Sequence, residues 1–131
     1  ILSSLSILVS INSAIEVDLT GQVNAETAGE NYLGGTGGQV DYVRGGSRSP
    51  GGHSIIALPS TAKTDSRVVS RLSGPVTTGR SEVDVIITEY GAAQLKGRSL
   101  RERAKAMIEI AHPDLREKLS ADAHDLFKRG Y

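Results

Sequence analysis

Cysteine is absent, and with it go disulfides, thiolate nucleophiles and zinc–thiolate sites. That absence leads us to expect a cytoplasmic protein. Tryptophan is also missing, and Phe and Tyr bring aromatic content to only 4%. No apolar run approaches the ~20 residues that a membrane span needs, so no membrane partner is expected. The apolar start, residues 1–11, is broken by four serines and lacks the basic flank of a signal peptide. There is no initiator Met, and the chain is expected to be a piece of a longer protein. Net charge is absent too, with 15 basic and 15 acidic residues, which argues against a nucleic-acid-binding domain of the usual basic kind.

What is present is unevenly placed. Residues 1–42 carry Glu16, Asp18, Glu26, Glu30 and Asp41 and no Lys or Arg. Residues 43–81 then carry Arg44, Arg48, Lys63, Arg67, Arg71 and Arg80 against Asp65 alone. A basic middle inside a neutral chain suits a local anionic ligand, and equally suits arginines scattered over solvated loops. A length of 131 residues is that of one domain with a core of its own.

Short apolar runs bounded by Gly, Pro and Ser predict strands over 5–11, 15–19, 54–58, 67–72 and 83–88. The runs at 54–58 and 83–88 are almost continuously apolar, as in strands covered on both faces. Helix is predicted at the C-terminal end. Ser99 and Glu102 form a capping-box signature, and Leu100, Ala104, Met107, Ile108 and Ala111 then share one helical face. Pro113 ends that helix and suits the first turn of another, carrying Leu115, Leu119 and Leu126. The result is an α/β chain with C-terminal helices and no internal repeat.

Ten of the 15 glycines fall between Gly21 and Gly52, with a dense run at Gly34-Gly-Thr-Gly-Gly38. Clustered amides in glycine turns form anion-binding concavities. The dinucleotide fingerprint fails, since its last glycine is missing and no long helix is evident after the run; the Gly-Lys-Ser/Thr of a phosphate loop is absent as well. By composition alone a surface loop of tight turns is the favoured reading of the segment. His53 stands alone and is expected to be structural or solvent-facing, and His112-Pro-Asp114 is expected to be a helix–helix turn, two groups being too few for a metal site. No Gly-x-Ser-x-Gly occurs, so a serine hydrolase is unsupported.

The ordered motifs say more. Asn12-Ser-Ala-Ile-Glu-Val-Asp-Leu-Thr-Gly-Gln-Val23 and Gly34-Gly-Thr-Gly-Gly-Gln-Val-Asp-Tyr-Val-Arg-Gly45 resemble the C-terminal domain of the acetyl-CoA hydrolase/transferase family. The resemblance is strongest to 4-hydroxybutyrate and butyryl CoA-transferases. It continues through Ser54-Ile-Ile-Ala-Leu-Pro-Ser-Thr-Ala-Lys63, Ser66-Arg-Val-Val69 and Thr88-Glu-Tyr-Gly-Ala-Ala93. It then runs through Leu95-Lys-Gly-Arg-Ser-Leu-Arg-Glu-Arg-Ala104 to Ile110-Ala-His-Pro-Asp-Leu-Arg116.

This resemblance implies a three-layer α/β fold of the CoA-transferase superfamily (NagB/RpiA-like), with residues 1–131 as the C-terminal domain and an N-terminal domain elsewhere. It implies coenzyme A and acyl-CoA as substrates, a small carboxylic acid as acceptor, no metal, and a homo-oligomer. The implied chemistry is covalent: a glutamate attacks the thioester and passes through a glutamyl anhydride to a glutamyl-CoA. In the family that glutamate lies upstream of the Asn12–Asp18 motif, so the chain alone is expected to be inactive. The implied roles are an oxyanion site at the amides of Gly38 and Gly37, an auxiliary acid at Glu89, and CoA contacts at Lys63, Gly34 and Ile15. Two departures stand out: Thr64-Asp65 follows Lys63 where relatives often have glycines, and His53 stands where many have lysine. An acetyl-CoA hydrolase, a stand-alone CoA-binding module and a non-catalytic interaction domain are the alternatives.

Overall fold

The computed structural model describes residues 1–130. In chain order the elements are β1 (Val9–Ser13), β2 (Glu16–Asp18), β3 (Val23–Asn24), β4 (Thr27–Ala28), β5 (Asn31–Tyr32) and α1 (Gln39–Arg48). There follow β6 (His53–Ala57), β7 (Thr61–Ala62), β8 (Asp65–Ser66), β9 (Val68–Val69), β10 (Val85–Thr88), β11 (Gly91–Gln94), α2 (Leu100–Glu109) and α3 (Arg116–Lys128).

The main sheet has the order β1-β6-β10-β11, with the first three strands parallel and β11 antiparallel. Ile11, Ile55 and Val85 lie in register across it, as do Asn12, Ile56, Ile86 and Ala93 on the opposite face. That second face is the covered one. Ile56 and Ile86 are fully buried and pack in one core with Val43 of α1, Ala104 and Met107 of α2, and Leu119 of α3. On the other face Val85 is buried, but Val9 and Ile11 at the β1 edge are 49% and 68% exposed, and Ile55 and Ile87 are only half-buried. A smaller sheet, β3-β2-β9, adds Val17, Val23 and Val68 to the same core, and β4–β5 and β7–β8 are hairpins.

The expected strands are present but shorter, because only their central residues find ladder partners. The run at 5–11 differs most. Leu2–Ser4 form a 3₁₀ turn and the strand starts at Val9. Ser49 holds the intervening residues out of the sheet, accepting from the Leu8 amide and donating to the Leu5 carbonyl. At the C-terminal end the capping box forms as expected: the Ser99 amide and hydroxyl both donate to Glu102 at 2.8 Å. Pro113 opens a 3₁₀ turn (Pro113–Leu115) that leads into α3.

One expectation fails. A ten-residue helix does follow the glycine run, starting at Gln39 with Gly38 as its N-cap. Gly45 and Gly46 hid it, since glycine costs a helix interior about 1 kcal/mol relative to Ala. They are present for contact. A Cβ on Gly46 would sit 2.6 Å from the His53 carbonyl oxygen, and one on Gly45 2.7 Å from Leu2 Cβ. Glycine lets α1 lie directly on β6, and the contact repays the lost propensity.

Candidate active site

The parallel strands β1, β6 and β10 all end at one edge, where α/β sheets usually place ligands. After β1 the chain returns to that edge through the glycine run and α1. Gln39 clamps the helix start there: its Nε2 donates to the Ser13 carbonyl at the end of β1, and its Oε1 accepts from Thr78 Oγ1, both at 2.8 Å. Gly37 takes φ +52°, a left-handed conformation in which glycine is at ease, and no side chain caps Gly38. Among the described residues neither the Gly37 nor the Gly38 amide meets an acceptor. A Cβ at Gly34 or Gly37 would meet nothing within 4 Å, so these two stand beside open space, whereas Gly35 lies against Tyr32 and Gly38 against Tyr42. The amides of Gly34 and Ile15, by contrast, are already engaged by the carbonyls of Glu26 (3.2 Å) and Asn24 (2.8 Å). Any contact of these two residues with a ligand would use other atoms.

After β6 and β10 the chain brings together Ser60 and Glu89. The Glu89 carboxylate accepts from the Ser60 hydroxyl at 2.7 Å and from its amide at 2.8 Å. The hydroxyl bond, then the amide bond, then Glu89's own amide hold this exposed carboxyl below its ordinary pKa; burial opposes them weakly and the charge of His112 adds to them. Glu89 is therefore anionic at neutral pH and suited to orienting or accepting, not to delivering a proton. His112 joins Glu89 from the α2–α3 connection, its ring edge-on to Tyr90 with centroids 5.6 Å apart. Arg116 lies 5.7 Å from the centroid of the same Tyr90 ring.

Lys63 occupies the tip of the β7–β8 hairpin with φ +56°, strained for a residue with a Cβ. It faces His112 across a cleft of about 330 Å³ that also takes in Thr61 and Asp114. Ile15 lies on the far side of this hairpin, in a separate groove with Ala62 and Ser66. Glu89, Ser60, His112 and Lys63 thus form one neighbourhood, while the glycine run joins neither cleft. Sequence reasoning missed Ser60 and set His112 aside as a turn residue. His112 does cap that turn, Nδ1 accepting from the Asp114 amide at 3.3 Å, but its ring also belongs to the site.

Two other carboxylates, Glu16 and Asp18, have structural work. Glu16 accepts from Asn24, from the Ser73 amide and hydroxyl, and from the Gly74 amide. Asp18 accepts from the Thr20 amide and hydroxyl and from the Gln22 amide. His53 is at the opposite end of β6, 3.4 Å from Asp84, as its solitary position suggested. Among the described residues no cluster of three metal-ligating side chains occurs.

The sequence model of the acetyl-CoA hydrolase/transferase C-terminal domain matches residues 2–123. The chain belongs to this family. It is 53% identical over 116 residues to the 4-hydroxybutyrate coenzyme A transferase of Clostridium kluyveri, covering 86% of this chain and 27% of that protein. RipA from Yersinia pestis superposes with a TM-score of 0.86 at 46% identity, over 95% of this chain and 27% of RipA. The 4-hydroxybutyrate CoA-transferase of Porphyromonas gingivalis gives 0.75 at 45% identity, over 99% and 28%. The α/β CoA-transferase fold expected from the resemblance is therefore the fold of this chain. The chain spans less than a third of each of these relatives.

Proposed function

We propose that this chain is the C-terminal domain of a CoA-transferase that moves CoA from an acyl-CoA to a small carboxylic acid of the acetate, butyrate or 4-hydroxybutyrate class. The observation that carries the proposal is the uncapped start of α1 at the strand ends, where the Gly37 and Gly38 amides have no acceptor and Gly37 stands beside open space. Such donors stabilise the negative charge that develops on a thioester oxygen when its carbonyl is attacked. One preorganised donor of this kind contributes roughly 10²–10³ in rate.

The attacking carboxylate is a glutamate outside these residues. It displaces CoA thiolate to form an acyl-glutamyl anhydride; the thiolate then attacks the glutamyl carbonyl and expels the acyl group as a carboxylate. The acceptor acid reverses the sequence with its own acyl group, so atoms and charge balance over the cycle. Glu89, held as an anion by Ser60, orients the nucleophile or CoA. Lys63 meets a CoA phosphate or pantetheine carbonyl, which suits an ammonium on a flexible stem, and Gly34 and Ile15 line the CoA path. The partners are an N-terminal domain of the same protein and further copies of it, in the cytoplasm. Relatives named as 4-hydroxybutyrate CoA-transferases favour transfer over hydrolysis.

The test is CoA exchange between butyryl-CoA and acetate by the full polypeptide that contains this chain. Transfer is expected there and none from the 131-residue chain. In the full protein Lys63→Ala should raise KM for acyl-CoA more than it lowers kcat, and Glu89→Gln should lower kcat. Glutamyl-CoA formation by the chain alone would overturn the division of labour. CoA binding by the chain, with no transfer by the full protein, would identify a binding module instead.

A further inference from the structure

The two C-terminal helices form a groove that shares no residue with the site above. α2 contributes Arg101, Ala104, Lys105, Ile108 and Glu109, and α3 contributes residues at the same spacing, from Ser120 to Lys128. Both sets follow i, i+3, i+4, i+7, i+8, so each helix presents one continuous stripe. The groove encloses about 430 Å³, within the range of small-molecule sites. Its floor is apolar: Ala104 and Ala123 are buried, and Ile108 and Phe127 are half-buried.

The rim is cationic at one end. Arg101 lies 5.1 Å from the centroid of the Phe127 ring, which fixes the antiparallel order of the two stripes. Arg101, Lys105, His124 and Lys128 therefore gather toward that end, and Glu109 and Ser120 stand at the other. Among the described residues Arg101, Lys105 and Lys128 form no ion pair. In a chain of zero net charge, three unpaired cations around one apolar trough select a guest with an anionic head and an apolar body.

We propose that this α2–α3 groove binds an amphiphilic monocarboxylate of medium chain length, its head at Arg101 and Lys105 and its tail along Ile108 and Ala123. The stripe from residue 101 to residue 109 runs about 12 Å at 1.5 Å per residue, room for a medium acyl chain.

Octanoate is the probe, titrated into the ¹⁵N-labelled chain, with octanol and octyltrimethylammonium as controls. Octanoate is expected to saturate below about 1 mM, shifting amides of α2 and α3. Octanol and the cation should bind at least about tenfold more weakly, about 1.4 kcal/mol. The double variant Arg101→Gln/Lys105→Gln should lose octanoate by a similar factor, with the amide dispersion of α2 and α3 retained to show that the groove still folds. The proposal is overturned by equal affinity for octanol, by unchanged binding in the double variant, or by no saturation near 1 mM. It is also overturned if the same amides shift with protein concentration alone, which would make the groove a self-interface.

Discussion

Glu89 shows how much a carboxylate's role depends on which groups point at it. Two hydrogen bonds from one residue, Ser60, keep it ionised, although the two positions are 29 residues apart. The sign follows from the direction of the shift. A depressed carboxyl stabilises the fold above its unfolded pKa, and that contribution is lost as pH falls through the lower folded value. Because Glu89 is exposed, solvent screening keeps the contribution small, and its titration is a better readout than stability. In Ser60→Ala the Glu89 midpoint followed by NMR should rise toward the ordinary carboxylate value. A midpoint that stays put would mean that the hydroxyl does not hold it. Glu89 was visible in the sequence as an acid closing a strand. Ser60 was not, because only the fold places the turn after β6 beside the turn after β10.

At the scale of elements, Gly46 sets local propensity against packing, and magnitudes decide between them. Gly46→Ala gains about 1 kcal/mol of helix propensity, yet its Cβ would lie 2.6 Å from a backbone oxygen of β6 and 2.8 Å from Ser10 Oγ. Backbone cannot give way cheaply, so urea denaturation should show a net loss of roughly 1–3 kcal/mol. Gly34→Ala, with nothing within 4 Å, should stay within about 0.5 kcal/mol. The same conflict explains why α1 was not legible, whereas α2 was: its cap, its apolar face and its stop signal all agree locally. Strand ends were overestimated for a related reason, since apolar runs extend beyond the residues that find ladder partners.

For the whole molecule the uneven burial of the main sheet is the dominant fact. Three parallel strands carry apolar residues on both faces, yet the described helices pack on one. Val9 and Ile11 consequently lie exposed in the row that continues to the half-buried Ile55 and Ile87. An apolar surface of this kind drives association. Sedimentation of the isolated chain should show species that grow with concentration, and Val9→Thr/Ile11→Thr should shift the population toward monomer. The double variant should unfold within a few degrees of wild type, as both residues keep β-branched side chains and neither is in the buried core. A concentration-independent monomer in the wild type would refute this account.

The sequence by itself determined the family, the α/β class and the two C-terminal helices, the first with its capping box. Each of these rests on local pattern or on ordered motifs that survive without coordinates. Tertiary structure decided which groups meet. It showed that the amides of Gly34 and Ile15 are spent on carbonyls while those of Gly37 and Gly38 are free. It added His112 and Ser60 to Glu89, and assigned Glu16 and Asp18 to bracing turns. The physical reason is that hydrogen bonds and close backbone contacts between distant segments depend on ångström-scale placement, which no spacing along the chain encodes.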